Sequence, residues 1–171
     1  MIHIYVGDGK GKTTAAIGLA IRNIGYDGKV LFAQFLKNMR TGEIGVLSKI
    51  NGLLLKRPAM RHKGFIWNMN QTELDETKED IEKGFIEICE IINKGSFSLV
   101  VLDEVLDIID CGFLNDADIL SLLEHHPETE FILTGRKASK DLKKIADYIT
   151  VMNKEKHPYD RGIKARKGIE Y

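Results

Sequence analysis

Short apolar runs rich in β-branched and aromatic residues alternate along the chain with stretches in which apolar residues recur every three or four positions. The runs fall at Ile2–Val6, Lys29–Phe35, Leu53–Lys56, Ser98–Asp103, Phe131–Thr134 and Tyr148–Met152. Buried strands separated by helical patterns predict an α/β fold with a mainly parallel central sheet of about six strands flanked by helices. The clearest helical period, Leu74, Ile81, Phe85, Ile88 and Ile92, predicts a helix from about Thr72 to Asn93. Acidic residues crowd its first turns, where the helix dipole favours them, and Asn93 to Gly95 ends it. An earlier helix carries Ala15, Ala16, Leu19 and Ala20 and stops at Gly25, a composition that lets it lie close on a sheet. Pro58 to Gln71 and Asn153 to Tyr171 fit no regular element, and irregular stretches of that length carry function more often than they are inert. With no internal repeat, low-complexity tract or proline-rich linker, residues 1–171 are expected to form a single domain.

The first run opens directly onto Gly7-Asp8-Gly9-Lys10-Gly11-Lys12-Thr13-Thr14, and a helical pattern begins near Thr13. Strand, glycine-rich turn and helix in that order make a phosphate cradle of the P-loop NTPase-like kind. Backbone N–H groups turn toward phosphate oxygens, the helix N-terminus adds partial positive charge, Lys12 supplies an ammonium and Thr13 a hydroxyl for Mg²⁺. The ligand expected is a nucleoside polyphosphate. Only Asp8, Gly9 and Lys10 stand between the first glycine and Gly11-Lys12-Thr13, one residue fewer than the usual spacing. The motif therefore reports phosphate binding without requiring transfer of a γ-phosphoryl group.

Further along, Leu99-Val100-Val101-Leu102-Asp103-Glu104 reads as a buried strand ending in two carboxylates, expected to run beside the phosphate loop. Alone, such a pair is a cap or a turn; joined to a phosphate loop, it offers hard oxygen ligands to a Mg²⁺-triphosphate. Ile132-Leu133-Thr134-Gly135-Arg136 ends another strand with a guanidinium that pairs either with phosphate or with a surface carboxylate. Arg22, nine residues after Thr13, belongs either to a solvated helix face or, by side-chain reach, to the nucleotide. Gly64-Phe65-Ile66-Trp67 sets two aromatic residues two apart in a polar loop, building either a small satellite core or a wall for a planar hydrophobic ligand. Lys154, Lys156, His157, Arg161, Lys164, Arg166 and Lys167 form either a solvated tail or a receiver of phosphate or acidic groups.

Composition narrows the class. The 25 basic and 25 acidic residues cancel, which gives no reason to expect nucleic acid or a membrane surface as partner. Cys89 and Cys111 lie in apolar patterns without metal-ligand spacing, as core thiols of a reduced compartment do. The chain enters a strand without a basic, then apolar, leader, and no stretch approaches the ~20 residues of a membrane span, so the expected location is cytoplasmic. No nucleophile, histidine and carboxylate are arranged as a triad, and the five histidines lack metal-ligand spacing.

Taken together, these segments resemble the P-loop type corrinoid (cobalamin) adenosyltransferase family. The likeness rests on residues 7–16, Gln34-Phe35-Leu36-Lys37, Gly42-Glu43, Gly64-Phe65-Ile66-Trp67, Asp103-Glu104, Leu133-Thr134-Gly135-Arg136, residues 156–165 and Lys167-Gly168-Ile169-Glu170-Tyr171, in order along nearly the whole chain. The resemblance implies transfer of the 5′-deoxyadenosyl group of ATP to Co(I) of a corrinoid, with release of triphosphate, in adenosylcobalamin biosynthesis or salvage. In that family, ATP lies reversed in the loop so that C5′ is exposed to cobalt. By position, Gly7, Gly9, Lys10, Gly11, Lys12, Thr13 and Thr14 hold the triphosphate, and Thr13 and Glu104 hold Mg²⁺ or Mn²⁺. Phe65 and Trp67 match aromatics that displace the lower axial ligand of cobalt, and Arg22 and Arg136 match positions near ATP. The nucleophile is then cobalt, so the protein needs no base; it must position C5′, neutralise the leaving triphosphate and exclude water. The resemblance further implies a homodimer and a reduced flavoprotein as electron donor. Family members often carry a helix before the first strand that helps cover the site, whereas this chain begins almost at that strand. The acceptor stays open between complete cobalamin and an incomplete corrinoid such as cobyrinic acid a,c-diamide. Two other readings share the phosphate loop: a small-molecule kinase or NTPase, and a nucleotide-binding switch.

Overall fold

In the computed structural model, which describes residues 1–37, 41–62, 64 and 66–170, every apolar run becomes a strand within a residue or two of its expected bounds. The strands are β1 (Ile2–Val6), β2 (Val30–Gln34), β3 (Leu53–Lys56), β4 (Leu99–Asp103), β5 (Glu130–Thr134) and β6 (Tyr148–Val151). All pairings are parallel, in the order β3-β2-β4-β5-β1-β6. Parallel neighbours require crossovers, and helices supply them: α1 (Lys12–Ile24), α2 (Gly42–Leu47), α3 (Gln71–Lys94), α4 (Val105–Asp110), α5 (Asp116–His125) and α6 (Lys140–Ile145). The carboxyl end of β4 meets the phosphate loop as expected, the Thr13 hydroxyl donating to Asp103 at 2.9 Å, although β5 lies between β4 and β1 in the sheet.

Alternation along the central strands divides the core between the two sheet faces. Leu31, Ala33, Val100, Leu102, Phe131 and Leu133 pack with Ile81, Phe85, Ile88 and Ile92 of α3 and with residues of α4 and α5. Val30, Phe32, Leu99, Val101 and Ile132 turn to the other side, where Ala16 and Ala20 bring α1 against the sheet. Residues four apart on a helix share a face, so two alanines give α1 a thin contact stripe above the sheet. Helix α3 begins at a reciprocal cap, Asn70 accepting from the Glu73 N–H while the Glu73 carboxylate accepts from the Asn70 N–H.

At the edge, β6 pairs in the sheet with β1 alone among the described strands, and all four of its residues are exposed. The irregular segments contain two 3₁₀ turns, Ile66–Asn68 and Pro158–Arg161. Among the described residues no helix is long and apolar enough to cross a membrane.

Candidate active site

Register builds the site. Gln34 on β2 lies opposite Asp103 on β4, so their side chains meet at the carboxyl edge of the sheet, where Thr134 ends β5. In open α/β sheets this is the edge at which ligands bind. Asp103 is fully buried and accepts four hydrogen-bond donors. Oδ1 takes the Thr134 hydroxyl at 2.7 Å and the Thr13 hydroxyl at 2.9 Å, and Oδ2 takes Gln34 Nε2 and Lys37 Nζ, each at 3.1 Å. The Thr134 oxygen in turn accepts the Glu104 N–H at 2.8 Å, fixing the turn after β4. Glu104 occupies the left-handed region at φ 65°, a conformation that costs energy for a residue with a side chain.

The phosphate loop is held from behind. Gly7 donates its N–H to Arg136 O at 3.0 Å and Gly9 donates to Met152 O at 2.7 Å. Those two amides are thus committed to the protein; the cradle falls to the N–H groups of Lys10 to Thr14, for which no acceptor stands among the described residues. Gly7 has φ 115°, and a Cβ there would lie 2.3 Å from Met152 O, so the close approach of β6 and the loop requires glycine. Lys12 Nζ bridges back to Gly7 O at 2.6 Å and Gly9 O at 2.9 Å, while burial lowers its pKa. Lys10 reaches Glu170 at 3.4 Å, which brings the end of the chain over the loop.

Two clefts meet here. The first, about 530 Å³, is lined by residues 9–14, Glu43, Lys37, Glu104 and the tail residues Gly168 to Glu170. The second, about 460 Å³, is lined by Trp67, Ile66, Asp107, Cys111 and Arg136, and again by Lys37 and Glu104. Lys37 and Glu104 therefore form the partition between a phosphate-binding cleft and an aromatic-walled one. Lys37 Nζ lies 3.1 Å from Asp103 Oδ2 and 3.3 Å from Glu104 Oε1. Burial opposes its charge, but the two carboxylates outweigh that and hold its pKa above the ordinary value. Glu104 is pushed up to about 7, chiefly by burial, with Lys37 pulling the other way and the neighbouring Asp103 adding to the rise.

Of the residues read from the sequence, the structure brings Gly9 to Thr14 and Glu104 to the first cleft and Trp67 and Arg136 to the second. Trp67 is 68% exposed, so its own side chain is not a buried core residue. Phe65 lies outside the described residues. Arg22 sits exposed in the last turn of α1 and lines neither cleft. Cys111 is exposed rather than a core thiol, because α4 ends at it and turns it toward the second cleft, whereas Cys89 is partly buried. The loop leading to Trp67 is tied to α3: Arg61 donates to Asp80 at 2.9 Å and Glu79 at 2.9 Å, and His62 meets Glu76. Sequence reading passed over Lys37, Gln34 and Thr134 as site residues. Their signal was position, since each stands at or just after the carboxyl end of a strand.

A parallel sheet with a glycine-rich loop and a buried carboxylate at its carboxyl edge defines a P-loop nucleotide-binding α/β protein. The sequence pattern of the family described as ATP:corrinoid adenosyltransferase BtuR/CobO/CobP matches residues 1–171. A corrinoid adenosyltransferase of Sinorhizobium sp is 33% identical over 174 residues, covering 100% of this chain and 80% of its own. The Escherichia coli K12 protein of the same name is 31% identical, covering 100% and 85%. Corrinoid adenosyltransferase CobA of Salmonella typhimurium is also 31% identical, covering 100% and 85%. The chain belongs to the ATP:corrinoid adenosyltransferase family.

Proposed function

We propose that this protein transfers the 5′-deoxyadenosyl group of ATP to Co(I) of a corrinoid and releases triphosphate. The observation that carries the reading is the pair of clefts divided by Lys37 and Glu104, with a phosphate loop in one and Trp67 in the other. A kinase needs the first cleft; transfer from ATP to a large flat acceptor needs both. Lys12 and the N–H groups of Lys10 to Thr14 neutralise the triphosphate as the bond to C5′ breaks and its electron pair leaves with the oxygen. Cobalt supplies the pair that forms the new bond, so the reaction asks no nucleophile or base of the protein. Trp67 lines the second cleft, and the family likeness assigns to it and to Phe65 the task of keeping a lower ligand away from the metal of the substrate.

The donor set also fits a divalent cation. Asp103, Glu104 and the Thr13 hydroxyl are hard oxygen ligands, and Gln34, itself buried, leaves Oε1 without a partner among the described residues beside Asp103. Mg²⁺ bound there offsets triphosphate charge. The family likeness extends the proposal to a cytoplasmic homodimer, with residues 1–171 acting as one domain and a reduced flavoprotein supplying electrons. The test is anaerobic incubation with ATP, Mg²⁺ and chemically reduced cobalamin or cobyrinic acid a,c-diamide. A light-sensitive cobalt–carbon chromophore and triphosphate by phosphorus NMR are expected; ADP and phosphate without that chromophore would overturn the proposal.

A further inference from the structure

The ammonium of Lys37 is surrounded by oxygens: Thr13 Oγ1 at 3.1 Å, Asp103 Oδ2 at 3.1 Å and Glu104 Oε1 at 3.3 Å. These are the hydroxyl and carboxylates to which the functional reading assigns a divalent cation, and the inference rests on that reading. A lysine and a divalent ion cannot share the position, because like charges a few ångströms apart in a half-buried site repel by several kcal/mol at an effective dielectric of ~20. We propose that Lys37 is a resident cation that occupies the metal position in the nucleotide-free protein and yields it only when a triphosphate arrives.

Charge and reach set the order of events. With Lys37 in place, the buried Asp103 and its neighbour Glu104 have a counter-charge and folding is not penalised by an unpaired carboxylate. Displacing the ammonium strands it unless another anion is within reach. Lys37 also lines the phosphate cleft, so a triphosphate there gives it a second partner. Exchange of one positive charge for two at the carboxylates, with the lysine moving to phosphate, keeps every charge paired. Leu36, immediately before it, is held at φ 54°, and this left-handed turn at the end of β2 directs the next side chain across the site. Metal therefore enters with nucleotide and not ahead of it.

Metal binding without nucleotide tests the exchange, with Mn²⁺ as the probe and water-proton relaxation as the readout on the full chain. Wild type should bind Mn²⁺ weakly. Lys37→Met and Lys37→Gln, the second keeping hydrogen-bond donors toward the carboxylates, should bind it about tenfold or more tightly than wild type. Lys37→Arg, still charged, should behave as wild type. Where a neutral variant folds poorly alone, Mn²⁺ should restore a cooperative thermal transition. Neutral variants that neither tighten on Mn²⁺ nor are rescued by it, or wild type that already binds Mn²⁺ tightly without nucleotide, would overturn the proposal. A parallel titration of Mn²⁺ with ATP separates the two readings: weaker binding of that complex to Asp103→Asn upholds the metal assignment even if the Lys37 arm fails.

Discussion

The hydroxyl of Thr13 donates to Asp103 Oδ1 at 2.9 Å, although β5 separates the strand that ends at Asp103 from the strand that leads into Thr13. Helix α1 crosses the sheet face and brings its first turn above the end of β4. The carboxylate touching the loop is therefore Asp103, while Glu104 stands one residue on, across the ammonium of Lys37. A metal bound between loop and sheet would meet both.

Lys12→Ala should reduce turnover by a factor of about 10²–10³ at saturating ATP, the usual cost of one preorganised electrostatic contact. Because Lys12 also spans the Gly7 and Gly9 carbonyls, the empty loop should loosen too. Calorimetric titration with a non-hydrolysable ATP analogue and single-turnover rates check this; near-normal turnover would reject the role.

Substitution at two glycines should move stability in opposite directions. Gly7→Ala forces a Cβ to 2.3 Å from a main-chain oxygen at a left-handed φ, so the melting temperature and ATP binding should both fall. Gly18→Ala, in the exposed middle of α1 with nothing within 4 Å of the added carbon, should gain about 0.5–1 kcal/mol. Thermal denaturation of the two variants side by side decides it.

Trp67→Ala should leave the melting temperature nearly unchanged, because the side chain is 68% exposed and surface changes are usually within about 0.5 kcal/mol. Activity starting from Co(II) with a mild biological reductant should fall steeply, activity from preformed Co(I) less so, and ATP affinity should hold. Equal losses in both assays would remove Trp67 from the corrin face.

Burial pushes the Glu104 carboxyl from its ordinary 4.5 up to about 7. The folded state holds this proton more tightly than the unfolded chain. Its contribution to stability is therefore full below about pH 4.5, declines as the pH rises to about 7 and is constant above. Glu104→Gln lacks this titration, so its stability relative to wild type should rise between about pH 5 and 7.5 by on the order of 1–3 kcal/mol. Urea unfolding in EDTA measures the difference, and a gap flat with pH would mean a carboxyl already ionised at the acid end. With metal present, the variant should need more Mg²⁺, since an amide oxygen is the weaker ligand.

The strands were legible because residues such as Val30, Phe32, Val100 and Leu102 are buried on one face or the other, leaving unbroken apolar runs. The phosphate loop was legible because glycine spacing is itself its geometry. Lys37 was not: in sequence it closes an apolar run as any solvated lysine does, and only the parallel register that sets Gln34 against Asp103 brings it to the site. The order of the sheet was equally hidden, since nothing in Leu99 to Asp103 says that β5 will insert beside it. Cys111 misled for a related reason, as its apolar neighbours Ile108 and Ile109 face inward from a helix that ends at the cysteine itself.

The parallel sheet also sets a timetable. β1 pairs only with β5 and β6, and the amides of Gly7 and Gly9 are held by Arg136 and Met152. During synthesis the phosphate loop leaves the ribosome well before the strands that support it are made. Non-local pairing of this kind folds late, so a nascent chain stalled before Met152 carries the whole glycine motif and no place to hold ATP.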